Sequence, residues 1–130
     1  KSLIKLSKKM INKYKIKKKN ILGHSDIAFD RKKDPGEKFP WKYLAKNKIG
    51  IWHNLGNKST YKYRKKFLNN NERTDFLNFL KKIGYFVNNF NSKKKNLIIA
   101  FQRRFRPEVI NGKLDKECYL IAKKLSKLYN

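Results

Sequence analysis

One imidazole and one carboxylate, His24 and Asp34, bracket the loop within GHSDIAFDRKKDPGEKFPW, and Lys32 stands two positions before the carboxylate. As a pattern the stretch reads H-x7-K-x-D-P-G. A histidine nitrogen and an aspartate oxygen are ordinary zinc ligands, and a catalytic zinc takes three protein ligands plus a water. Water held that way ionises near neutral pH and attacks a carbonyl carbon. A lysine beside the ligand carboxylate can steady the oxyanion that results. The same residues also suit a hydrogen-bonded structural pair on a polar loop, and spacing does not choose between the two.

The elements around this stretch follow from periodicity. Leu3, Ile4, Leu6, Met10, Ile11 and Tyr14 recur at three- and four-residue steps among lysines, which predicts an amphipathic helix. Ile21-Leu22-Gly23-His24 reads as a short buried strand ending at the histidine. Residues 25–39 form a turn-rich loop, and Pro40 suits the first turn of a short helix carrying Trp41, Tyr43 and Leu44. From Asn54 to Asn71 the pattern dissolves into Gly, Asn, Ser, Thr and Lys, a candidate linker. Three helices are expected beyond it. The first carries Phe76, Leu77, Phe79, Leu80 and Ile83 and stops at Gly84. The second starts after Ser92 as N-cap, carries Leu97, Ile98, Phe101 and Phe105, and halts at Pro107. The third opens on Asp115 and carries Cys118, Leu120, Ile121, Leu125 and Leu128. Short amphipathic helices cannot each bury a face alone, so these three should pack together.

Composition limits what such a chain can be. With 39% hydrophobic and 14% aromatic residues it has material for a core and does not read as disordered. A formal net charge of +26 predicts attraction to polyanions: nucleic acid, an anionic surface or an acidic wall polymer. The excess is mostly lysine, accompanied by much Asn and Ile, which an AT-rich genome also produces. One cysteine, Cys118, excludes an internal disulfide and a cysteine-rich zinc cluster. No apolar run approaches a membrane span. The chain opens on Lys1 inside a helical pattern with no signal peptide, which reads as the downstream part of something longer.

The stretch from Gly23 to Ala45 resembles the second half of the active site of zinc-dependent N-acetylmuramoyl-L-alanine amidases, in the subgroup with a C-terminal peptidoglycan-binding domain. There the segment reads HSDIAPxRKxDPGxxFPW. The later IIAFQRRFRPEVINGKLDKEC is similar to AFQxxFRPxxxxGxxDxET of the three-helix peptidoglycan-binding domain. The resemblance implies an α/β fold: the C-terminal part of a mixed-sheet zinc amidase domain over 1–53, a linker over 54–71, and a small all-α three-helix peptidoglycan-binding domain over 72–130. It makes His24 and Asp34 ligands of Zn2+ and Lys32 the residue that stabilises the transition state. Phe29 stands where the family has Pro, and Cys118 where it has Thr.

In that family the first zinc histidine and the general-base glutamate lie upstream, on strands with no counterpart after Lys1. An upstream amidase segment is therefore expected to complete the site, and this chain alone is expected to be a poor amidase. His53, in IGIWHNLG, could be offered as a third ligand, but the family places none there and a packing histidine is the simpler reading. Gln102 and Arg106 are expected as contacts to a glycan or peptide, with Phe101 and Phe105 forming a core stripe. The implied partners are peptidoglycan or muropeptides at the bacterial cell envelope, in the periplasm or attached to the outer membrane. A non-catalytic peptidoglycan-binding fragment is the alternative. Nucleic acid is disfavoured, though the tyrosines of STYKYRKKF alternate with basic residues as a single-strand platform does.

Overall fold

Apolar spacing at three and four residues dominates the chain, and helices follow from it. The computed structural model describes residues 2–29, 32–85, 87 and 94–129, apart from the side chains of residues 57 and 58. In order come α1 (Ser2–Tyr14), α2 (His24–Ile27), α3 (Trp41–Lys46), α4 (Asn57–Thr60), α5 (Asn70–Lys82), α6 (Lys94–Phe105) and α7 (Lys116–Leu128). Short 3-10 turns at Lys18–Asn20 and Tyr61–Tyr63 join them.

The expectation of a mixed-sheet α/β part is corrected: among the described residues there is no strand. The strand expected at Ile21–His24 shows why. Ile21 and Gly23 do have extended backbone. Their polar groups, however, find partners other than a neighbouring strand. The Ile21 carbonyl accepts from Arg104 Nη2 at 3.1 Å, and the Gly23 N–H donates to Asp26 Oδ2 at 3.0 Å. With its backbone bonded to side chains, the run needs no ladder, and a helical turn starts at His24 where the strand was expected to end.

The helix boundaries of the second half have local causes. Asn69 caps α5 by accepting from Glu72 N at 2.8 Å, while Glu72 Oε1 accepts from Asn69 N at 3.2 Å. After α5 the chain turns at Gly84, whose φ of +108° suits a residue without a side chain, and Tyr85 N closes onto Leu80 O. Asp115 Oδ1 accepts from Cys118 N at 2.9 Å and opens α7. Ser92, expected to cap α6, lies outside the described residues.

Phe76, Leu80, Phe101, Ile121 and Leu125 of α5, α6 and α7 are buried in one core, with Phe76 and Phe101 edge to face at 5.2 Å. Each such side chain contributes about 1.5–3 kcal/mol by leaving water. Trp41, Leu44 and Ile49 form a second cluster, onto which Ile4 and Ile11 of α1 pack. Trp52 touches both. Segment 54–71 carries a buried Leu68, and its Arg64 pairs with Glu117 of α7 at 2.8 Å. No helix among the described residues is long and apolar enough to cross a membrane.

Candidate functional site

His24 is the first residue of α2, and the loop that follows returns Asp34 beside it. The return is stitched by backbone: Ser25 N donates to Asp34 O at 2.9 Å, and Lys32 N donates to Ala28 O at 2.8 Å. Gly23 permits the close approach, because a side chain there would run into Pro35. The result is a hydrogen bond of 2.7 Å between His24 Nδ1 and Asp34 Oδ2. Both side chains are open to solvent, at 70% and 64% exposure. The bond to His24 holds the Asp34 carboxyl below the usual carboxylate range, with the nearby Lys32 charge adding a smaller push in the same direction. Thus the structure brings the His24 nitrogen and the Asp34 oxygen together, with Lys32 exposed two residues before Asp34.

A buried polar network adjoins this pair in the chain. Asp26, two residues after His24, accepts from Arg104 Nη1 at 2.6 Å and from the Tyr85 hydroxyl at 2.6 Å. Arg104 lies 3.9 Å from the Trp41 ring centroid, and its side chain and that of Asp26 are each 2% exposed. Burial, then the Asp26 charge, pushes the Tyr85 hydroxyl well above its ordinary range, so it remains a donor. Arg103 reaches Glu37 of the loop at 3.8 Å. Sequence reading missed Asp26, Tyr85 and Arg104 as positioning residues. The only local signal was that Asp26 falls inside the HSD run, and its partners lie 59 and 78 residues away.

Gln102 and Arg106, the expected ligand contacts, sit elsewhere and are both buried. Gln102 is fully buried: its carbonyl accepts from Asn111 N and Gly112 N, and its amide donates to Asn111 Oδ1 and Lys113 O. Arg106 is 1% exposed and donates to Val109 O, Asp115 at 2.6 Å and Glu117 at 3.0 Å. Both groups hold the 107–115 turn against α6 and α7.

Do the residues fit a metal ion? An imidazole and a carboxylate with their donor atoms 2.7 Å apart need open by only about 0.6 Å to share one tetrahedral zinc, whose ligands lie about 3.3 Å apart. The donor set and its exposure fit two of a zinc ion's ligands. Among the described residues no group of three His, Cys, Asp or Glu gathers to complete it. His53 is buried in a separate place against Trp52.

A histidine, a carboxylate and a lysine on one stretch of chain are groups of the kind that a metal-assisted hydrolase can use. Known proteins narrow that class. No protein-family model matches the chain. The N-acetylmuramoyl-L-alanine amidase AmiD of Escherichia coli (strain K12) is 36% identical over an alignment of 130 positions that covers 98% of this chain and 47% of that protein. A solved complex of AmiD from E. coli with anhydro-N-acetylmuramic acid-L-Ala-D-γ-Glu-L-Lys superposes with a TM-score of 0.81, covering 98% of this chain and 50% of that one. AmpDh3 from Pseudomonas aeruginosa gives the same TM-score at 36% identity, covering 98% and 51%. In sequence and fold the chain is similar to these amidases over nearly all of its own length, and it spans about half the length of the relatives it matches.

Proposed function

We propose that the chain is the metal-bearing part of a peptidoglycan amidase, one that hydrolyses the amide between the N-acetylmuramoyl group and L-alanine. The observation that carries this reading is the 2.7 Å convergence of His24 and Asp34 beside Lys32, in a chain 36% identical to AmiD. His24 and Asp34 would hold zinc, which supplies a water ionised near neutral pH. The hydrogen bond and the Lys32 charge keep the Asp34 carboxylate ionised and ready to ligate. Lys32 is exposed on the loop and offers its ammonium to the oxygen of a carbonyl under attack. The remaining ligand and the general base would come from polypeptide outside these 130 residues. Residues 72–130, with 54–71 as linker, would serve as the wall-binding module, and the envelope would be the site of action. Support for a muropeptide substrate comes from the AmiD complex and from AmpDh3 of P. aeruginosa in complex with anhydromuramic pentapeptide, 34% identical.

A non-catalytic peptidoglycan-binding segment is the second reading, favoured by the missing third donor among the described residues. Incubation with zinc and a muropeptide of a polypeptide that joins these residues to the segment supplying the remaining ligand and base, with peptide release followed by mass spectrometry, decides between them. Release that disappears in His24→Ala and in Asp34→Ala supports the amidase. Retention of intact muropeptide without release supports the binding segment, and release that survives both substitutions refutes the assigned roles.

A further inference from the structure

Away from His24 and Asp34, the chain has a cleft of about 410 Å3 between α3 and the 52–56 segment. Its lining is chemically mixed. Lys42 and Lys46, one turn apart on α3, are exposed at its edge, and Trp52, Leu55 and Ala45 give it apolar wall. His53 also lines it, and this residue is the anomaly. It is 7% exposed, and neither ring nitrogen has a hydrogen-bond partner. The Phe105 and Leu55 backbones lie near enough to act on its charge but outside bonding geometry. A buried polar group without a partner costs about 1–3 kcal/mol, so such a group in a cleft calls for a ligand.

The position of the ring is fixed in advance. The imidazole stacks on the Trp52 indole with centroids 4.9 Å apart, and Trp52 O accepts from the Tyr129 hydroxyl at 3.0 Å. Burial lowers the His53 pKa below its ordinary 6.5, so near neutral pH the ring is uncharged and offers one N–H donor and one acceptor. Two ammoniums with a single buried donor suit a singly charged oxyanion on a small apolar body. A phosphate dianion, more strongly hydrated, asks for more buried donors than this cleft has.

We propose that this cleft binds a small carboxylate-bearing ligand, the carboxylate held by Lys42, Lys46 and the His53 N–H, and the apolar part laid on Trp52. The volume falls in the range of small-molecule sites. Neither the ligand nor the cleft depends on the amidase reading, since no residue of the metal pair takes part.

The test uses the 130-residue chain and the imidazole proton resonances of its two histidines, assigned with His53→Gln; His24 is the internal control. Acetyl-alanyl-alanine is titrated in parallel with its C-terminal amide and with inorganic phosphate. The expected result is a saturable shift of the His53 signals by the free acid, with a Kd on the order of 1 mM, as befits a fragment of that size. The amide should leave them in place, and Lys42→Gln combined with Lys46→Gln should weaken binding about tenfold. Because those lysines are exposed, the double variant should fold normally. No saturable shift, equal response to the amide, response to phosphate alone, or undiminished binding in the double variant would each overturn the proposal.

Discussion

Asp26→Ala probes the network beneath the metal pair. Among the described residues the carboxylate is the only acid bonded to the Arg104 guanidinium, at 2.6 Å, with both side chains 2% exposed. Arg104 Nε already lacks a partner, so the guanidinium has no spare bonding to fall back on beyond Ile21 O and the faces of Trp41 and Phe105. Removing the acid leaves a buried cation without a counter-charge, which costs about 3–5 kcal/mol. Tyr85 loses its acceptor in the same step. For a chain of this size, a loss of that order lowers Tm by roughly 10–20 °C. Replacing both partners by apolar groups should restore much of this, because a buried ion pair is often matched by well-packed apolar side chains. Urea denaturation of Asp26→Ala, Arg104→Met and the double variant closes the cycle, with a coupling of at least about 2 kcal/mol expected. An Asp26→Ala variant within about 1 kcal/mol of the parent, or simple additivity of the two changes, refutes the assignment of this pair.

Other consequences are quicker to check. Burial depresses the His53 pKa, so as pH falls below about 6.5 the unfolded chain takes up this proton first and stability drops until the folded pKa is reached. Urea midpoints measured between pH 7.5 and 5 should fall less in His53→Gln than in the parent, with Glu108 and Lys42 as the charges that modulate the shift. Cys118 is buried and its thiol is pushed up to about 12, so iodoacetamide should label it only after denaturation. Asn69→Ala removes the cap of α5 and should cost about 1 kcal/mol by thermal denaturation.

Legibility in the sequence varied with the range of the interactions involved. The three later helices were readable because their limits are local: Gly84 supplies a positive φ, Pro107 ends α6, and Asp115 caps α7 within three residues. The His24–Asp34 pairing was readable because the intervening loop carries a dense motif, not because spacing alone requires it. The Ile21–Gly23 run looked like a strand from its apolar, extended character. A strand needs a neighbour, and here a guanidinium from 83 residues away took the carbonyl that a neighbour would have bonded. The burial of Gln102 and Arg106 was not legible for a related reason. Polar side chains on a helix are expected at the surface, but the Asn111–Gly112 turn and the Asp115 and Glu117 carboxylates fold back to satisfy these two in the interior.

Zinc titration by calorimetry tests the central claim most directly, since it reads the metal pair without requiring the rest of the enzyme. One equivalent should bind, weakly because only two protein donors converge, and binding should vanish in His24→Ala and in Asp34→Ala while persisting in His53→Gln. Zinc binding that survives both of the first two substitutions, or that is lost with His53, contradicts the account.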